Sequence, residues 1–203
     1  IRNAEVLNLI KKSDNFGITV GEINADYAIG FQRSREVVSK LTKGVEQLLT
    51  KNAVEFRKGT AYINNSNQVT VSGETYIANN LIIATGARPR VPKEFSIDGE
   101  IVMTSHEAIL SDTVPNHVAI IGAGAIGVEF AYLYKSYGAK VTLIESMQQI
   151  LPKEDEEISK ALSRSFRKMG IDIHTSTNVS ELVSIENKGR ITLDTQEDQQ
   201  YLL

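Results

Sequence analysis

The sequence predicts an α/β protein with parallel βαβ units in its C-terminal half and a small antiparallel β-meander ahead of them. From residue 117 onward, short apolar runs of strand character alternate with amphipathic helical stretches, the order that builds a parallel sheet covered by helices. Between residues 53 and 85, short β-type runs follow one another with only turn signals between them. In addition, the first strand-to-helix turn of the C-terminal half carries Gly122, Gly124 and Gly127, a GxGxxG spacing in the context that gives it meaning.

With 203 residues the chain can bury a sizeable core, as one domain or two. Hydrophobic residues at 41% and charged residues at 23% are ordinary for a globular protein, which argues against disordered and fibrous classes. A formal charge of -3, with no clustered Lys/Arg surface, gives a nucleic acid nothing to bind. No apolar run has the length of a membrane helix and no N-terminal segment has the order of a signal peptide, so the cytoplasm is the expected compartment. There is no cysteine, which removes disulfide scaffolds, thiolate zinc sites and thiol catalysis from the chain itself. A start at Ile1 and an apolar ending at Leu202 and Leu203 suggest a piece of something longer.

Apolar residues at Phe31, Val38, Leu41, Val45 and Leu48, separated by Lys and Glu, predict a helix over 31–52 with one face turned to a core. Meander strands are expected at 53–56 (AVEF), 61–63 (AYI), 69–71 (VTV) and 75–85 (TYIANNLIIAT), the last ending in LIIAT (81–85), which runs apolar into a buried sheet. The stretch 86–100 breaks regular structure with prolines and glycines, SHEAILS (105–111) offers a short helix, and a domain boundary falls near Thr113 to Asn116. Then follow a strand over 117–121, a helix over 125–137 stopped at Gly138, a strand over 140–145, a helix over 153–169 and a strand over 171–175. KEDEE (153–157) places acidic side chains in the first turn of the second helix, where the positive end of the macrodipole favours them. The tail reads as strand, turn and strand around Asn187, Lys188 and Gly189.

Each glycine of the fingerprint has a mechanical task. The first allows the tight turn, the second lets a pyrophosphate approach the backbone, and the third lets helix and strand pack closely. The helix N-terminus then offers unpaired N–H groups and a positive dipole end. Glu145 closes KVTLIE, 18 residues beyond Gly127, where a carboxylate accepts hydrogen bonds from an adenosine ribose. The same acid repels a 2′-phosphate, and SMQQI after it holds no Arg to attract one, so NAD(H) is favoured over NADP(H).

Glu129 lies inside an otherwise apolar helix stretch of Val128, Phe130 and Ala131. Either it is a buried structural carboxylate, or it faces the nicotinamide side of the site. His106, His117 and His174 stand singly without ligand spacing, and no metal is expected. No nucleophile elbow, Walker lysine or acid/base pair is present, and nothing after the fingerprint offers the Tyr-Lys or His of a single-domain dehydrogenase.

The segments GTAYI (59–63), NLIIATGARPRVP (80–92), IDGEIVMTSHEAIL (97–110), VAIIGAGAIGVEFAYLYKSYGAKVTLIE (118–145) and ILPKEDEEIS (150–159) together resemble the FAD-dependent pyridine nucleotide-disulfide oxidoreductase family, and within it the dihydrolipoamide-oxidising enzymes. The resemblance implies two Rossmann-like dinucleotide-binding domains of the FAD/NAD(P)-binding fold, both incomplete here: a partial FAD-binding domain over 1–114 and a C-terminally truncated NAD-binding domain over 115–203. It assigns Ala61, Thr85, Gly86 and Ala87, with Ala84 of the same ATG loop, to FAD. It assigns Gly122, Ala123, Gly124, Ala125, Ile126, Gly127, Val128, Glu129 and Glu145 to NAD, with Val179 at the adenine end.

It also implies what is missing: a first GxGxxG for FAD, the redox-active cysteine pair, and a C-terminal dimerisation domain with its His and Glu acid/base residues. No catalytic residue therefore lies in this chain, which alone is expected to be inactive. The intact enzyme would oxidise dihydrolipoamide to lipoamide and reduce NAD, through FAD and a disulfide outside these residues. Its partners would be the lipoyl groups of 2-oxo acid dehydrogenase or glycine cleavage complexes, and it would be a homodimer. The alternatives are a mercuric reductase, transhydrogenase or glutathione reductase type of flavoenzyme, or a stand-alone NAD-binding module without catalysis.

Overall fold

A computed structural model of the chain describes residues 1–93, 95–185, 188–194 and 200–202. In chain order its principal elements are α1 (Arg2–Lys11), α2 (Tyr27–Lys51), β1 (Ala61–Asn65), β2 (Gln68–Val71), β3 (Glu74–Ile77), α3 (Ser105–Ala108), β4 (His117–Ile121), α4 (Ala125–Ser136), β5 (Lys140–Ile144), α5 (Glu156–Lys168), β6 (Asp172–His174), β7 (Asn178–Ile185), β8 (Lys188–Asp194) and β9 (Gln200–Leu202). They group into two compact units, Ile1–Gln32 with Pro89–Leu203, and Arg33–Arg88.

In the larger unit β4, β5 and β6 form a parallel sheet in that order, as two successive βαβ units require. The central strand β5 is apolar almost throughout because both of its faces are covered. Val141 and Leu143 are fully buried beneath Val128, Ala131 and Tyr134 of α4 and Phe166 of α5. Ile144, one residue on and therefore on the opposite face, packs against Ile191 and Leu193 of β8. Each such side chain contributes about 1.5–3 kcal/mol by leaving water. Strands β7, β8 and β9 form an antiparallel sheet in which β8 alternates buried Gly189, Ile191 and Leu193 with more exposed neighbours.

Helix α1 has no counterpart in the sequence reading. It lies on α4, burying Ala4 and Leu7. The Asn8 amide donates to the Tyr132 hydroxyl at 3.0 Å and to the Ser136 hydroxyl at 2.8 Å. The Lys11 ammonium donates to the Ser136 carbonyl at 2.8 Å, at the negative end of the α4 dipole.

The smaller unit carries an antiparallel meander in the order β1, β2, β3, with Ala61 opposite Val71 and Val69 opposite Tyr76. The strand expected at 53–56 is not formed: Ala53 turns with a φ of 53° and the chain continues without a ladder. The last strand stops at Ile77, so LIIAT is not a buried strand; Ile82 is 88% exposed and Ile83 is 65% exposed. A β-run needs a neighbouring backbone to satisfy its N–H and C=O groups, and the described residues place none beside it.

The long helix forms as its periodicity predicts, from Tyr27 to Lys51, but it buries no residue, contrary to the core-facing expectation. Leu41 is 66% exposed and Val38, Val45 and Leu48 are about half exposed. Periodicity gathers apolar side chains on one stripe and does not itself supply a covering layer.

The acidic run KEDEE is also corrected. Asp155 is the N-cap of α5, its carboxylate accepting from the Glu157 N–H at 2.8 Å, so Lys153 and Glu154 precede the helix and only Glu156 and Glu157 occupy its first turn. An Asp ahead of a helix satisfies an otherwise orphaned N–H, and that sets the start. The turn expected at Asn187 lies outside the described residues. Among the described residues, no helix is long and apolar enough to cross a membrane, and no cluster of three or more His, Asp or Glu is placed to hold a metal ion.

Candidate nucleotide-binding site

The site is built where β4 turns into α4. Gly122 carries a φ of 99°, a conformation L side chains rarely adopt. Its N–H donates to the Ile144 carbonyl at 2.8 Å, stitching the turn to β5. A Cβ on Gly127 would collide with the Gly122 carbonyl oxygen, so the third glycine is required by a close backbone approach. Gly124 is the N-cap of α4 and no side chain caps that end. The first-turn N–H groups of a helix have no intrahelical acceptors and sit at the positive dipole end. Here they belong to Ala125, Ile126 and Gly127, with Gly124, Ala125 and Ile126 exposed. An anion is the natural occupant of such an end.

Ala123, between the first two glycines, is fully buried and held through both its N–H and its carbonyl. Its N–H donates to Oε2 of Glu145 at 2.8 Å, and its carbonyl accepts from the Leu151 N–H at 2.7 Å. Leu151 adopts a φ of 48°, unusual for a branched residue, directly before Pro152. Its neighbour Ile150 is fully buried, its carbonyl accepting from the Ser159 hydroxyl of α5 at 2.6 Å.

Glu145 follows β5 and is only 7% exposed. Besides the Ala123 bond, its Oε1 accepts from the Met147 N–H at 3.0 Å and from the Ser146 hydroxyl at 3.3 Å. Its own backbone is pinned too: the Glu145 N–H donates to the His174 carbonyl and the Thr177 N–H to the Glu145 carbonyl. A carboxylate has about four acceptor positions, and three donors leave room for one more, such as a ribose hydroxyl.

The structure thus brings Gly122 to Glu129 together with Glu145 at one end of the parallel sheet. Glu129 is exposed on α4, so the buried structural carboxylate weighed from the sequence is not what forms. Val179, the second residue of β7, lies opposite Leu193, part-buried against the cluster of Ile144, Ile191 and Leu193, and the register slips immediately after it. Ala61, Thr85, Gly86 and Ala87 all belong to the smaller unit and are exposed, Ala61 at the start of β1 and the others in the loop that follows the meander. Sequence reading missed Met147 and Leu151; the proline after Leu151 favours an extended backbone at that residue, not the φ of 48° that forms, so it gave no signal for this turn.

The family model for pyridine nucleotide-disulphide oxidoreductases matches residues 4–202. The chain belongs to the pyridine nucleotide-disulphide oxidoreductase family. Within it, a dihydrolipoyl dehydrogenase of Chlorobaculum parvum is 41% identical over 191 residues, 92% of this chain and 41% of that protein. One from Acholeplasma laidlawii is 40% identical over 188 residues, 90% of this chain and 56% of that protein. The chain therefore spans about two-fifths to just over half of the length of these curated relatives.

Among solved structures, LpdA of Mycobacterium tuberculosis matches with a TM-score of 0.86 at 20% identity, over 99% of this chain and 45% of that one. The HOCl-induced flavoprotein disulfide reductase RclA of Escherichia coli matches with a TM-score of 0.76 at 26% identity, over 98% of this chain and 44% of that one. The mixed helix and sheet architecture of this family member is thus the FAD/NAD-binding flavoprotein oxidoreductase fold.

Proposed function

We propose that this chain is an internal portion of a dihydrolipoamide dehydrogenase, comprising part of the FAD-binding domain (1–114) and a C-terminally truncated NAD-binding domain (115–203). The observation that carries the NAD assignment is the joint geometry of the phosphate loop and Glu145. A turn that only glycine fits opens onto an uncapped helix N-terminus, with a buried carboxylate hydrogen-bonded to the same turn. The named dihydrolipoyl dehydrogenases at 40–41% identity support the specific activity.

In this reading Gly122 to Val128 hold the pyrophosphate of NAD, Glu145 accepts from the adenosine ribose, Glu129 faces the nicotinamide end and Val179 the adenine end. Ala61 and the loop Thr85 to Ala87 contact FAD. FAD and NAD, when bound, supply the redox chemistry by which dihydrolipoamide and NAD+ become lipoamide, NADH and a proton. This chain contributes binding and orientation and no reacting group, since it contains no cysteine to act as thiolate. The parent would act in the cytoplasm as a homodimer on lipoyl groups of 2-oxo acid dehydrogenase or glycine cleavage complexes. The likeness to RclA supports a second reading, another flavoprotein disulfide reductase of the family.

The deciding experiment follows NADH formation by the full-length, flavin-loaded protein given dihydrolipoamide and NAD+, with NADP+ and other dithiols as comparisons. Turnover with dihydrolipoamide and NAD+ is the expected result. Turnover only with a different thiol or disulfide would favour the second reading, and NADH binding without turnover on any of them would favour a binding module.

A further inference from the structure

We propose that Glu145 is a positioning residue for the pyrophosphate loop as well as an acceptor for the ribose, so that one carboxylate couples the two halves of the nucleotide site. This rests on the NAD reading above and deepens it. The support lies in how the carboxylate is already engaged. Oε2 holds the N–H of Ala123 at 2.8 Å, and Ala123 is the residue between the two glycines that shape the turn. That residue is fully buried, so its N–H has no water to fall back on if the carboxylate is removed. On its other side the Ala123 carbonyl accepts from the Leu151 N–H at 2.7 Å, and the Gly122 N–H donates to the Ile144 carbonyl at 2.8 Å. Three bonds from the segment 144–151 therefore fix the turn from Gly122 to Gly124, and only one of them comes from a side chain.

A ribose-only role would leave phosphate recognition independent of residue 145. The geometry makes it dependent, because releasing the Ala123 N–H removes one of the three bonds that fix the turn leading into the α4 N-terminus. Charge must be separated from hydrogen bonding in the test, since removing a negative group also favours an anion nearby. Glu145→Gln and Glu145→Ala lose the same charge, but only Gln keeps an oxygen that can accept from Ala123. Its amide NH2 is left toward Ser146, whose hydroxyl can accept, and toward Met147, whose exposed neighbourhood offers water to its N–H.

The experiment uses the full-length, flavin-loaded protein and measures displacement of NADH by inorganic pyrophosphate, a probe with no ribose. Pyrophosphate is expected to bind Glu145→Ala about tenfold more weakly than Glu145→Gln, the equivalent of one hydrogen bond to a buried partner. Both variants should lose discrimination against NADPH, since both lack the charge. Equal pyrophosphate affinity in the two variants, with NADH still bound, would overturn the positioning role and leave the NAD reading intact. No NADH binding by the unsubstituted protein would overturn the NAD reading itself, and this inference with it. Should Glu145→Ala not fold, amide hydrogen exchange at Ala123 in the unsubstituted protein and in Glu145→Gln decides. Protection in both supports the role, and rapid exchange in the unsubstituted protein overturns it.

Discussion

Residue by residue, what could be read from the sequence was what local backbone geometry dictates. Gly127 could be assigned because the approach of the Gly122 carbonyl leaves no space for a Cβ. Replacing it by Ala should push the turn open, costing about 1–3 kcal/mol of stability and lowering NADH affinity at least as much as stability, measured by denaturant unfolding and NADH titration. A variant that unfolds earlier yet binds NADH normally would show that the turn can adapt. Glu145 was found by its spacing, but its bonds to Ala123 and Met147 depend on side-chain packing that spacing does not encode. In the full-length protein, Glu145→Arg should move preference from NADH toward NADPH, because the repelling charge becomes an attracting one; an unchanged ratio of the two kcat/KM values would refute the ribose role.

His117 is a residue of a different kind. It shares a hydrogen bond of 3.1 Å with the Thr142 hydroxyl, and burial, followed by the nearby Lys140 charge, lowers its pKa below the ordinary histidine value, with Asp172 opposing. The unfolded chain therefore takes up its proton at higher pH than the folded one. Stability contributed here is full above about pH 6.5 and is lost as pH falls through the lower folded pKa. His117→Gln should flatten the acid-side loss of denaturant midpoint between about pH 7.5 and pH 5, relative to the unsubstituted protein; parallel curves would exclude His117 as a source.

At the scale of elements, the sequence showed which segments are helices far better than what each one touches. Helix α1 escaped notice because exposed Val6, Leu9 and Ile10 blur its stripe, yet Ala4, Leu7, Asn8 and Lys11 lie at helical spacing on the side that meets α4. Much of that contact is polar: Asn8 satisfies Tyr132 and the buried Ser136, a pairing that hydropathy does not register. Asn8→Ala should cost about 1 kcal/mol, and a double-mutant cycle with Ser136→Ala should give a coupling of at least about 0.5 kcal/mol in denaturant unfolding. Additive effects would mean that the Asn8–Ser136 bond adds nothing to the hold that Ala4, Leu7 and Lys11 have on α4. Helix α5 makes the same point at its boundary, where a single Asp155 bond to the Glu157 N–H, rather than the density of acidic residues, decides the first turn.

At the scale of the whole molecule, the two units differ in how much of their apolar surface is covered. The larger has a parallel sheet shielded on both faces, with Val141, Leu143 and Ile144 all at 2% exposure or less. The smaller leaves Leu41, Val45 and Leu48 of α2, and Ile82 and Ile83 beyond the meander, open to water. Those residues carry the apolar pattern of a buried helix stripe and a buried strand, and the chain spans only about 41% of its Chlorobaculum relative. Pattern reports what a segment is suited to, whereas burial depends on neighbours that sequence alone does not place. If the remainder of the parent supplies the covering layer, one substitution should behave differently in two contexts. Leu41→Ala in the full-length protein should cost about 2–5 kcal/mol, the usual loss for a truncated core leucine. In the 203-residue chain, where Leu41 is 66% exposed, the same change should stay within about 0.5 kcal/mol. Urea unfolding of both pairs measures the difference, and a small effect in both contexts would mean that the α2 stripe faces water in the complete protein as well.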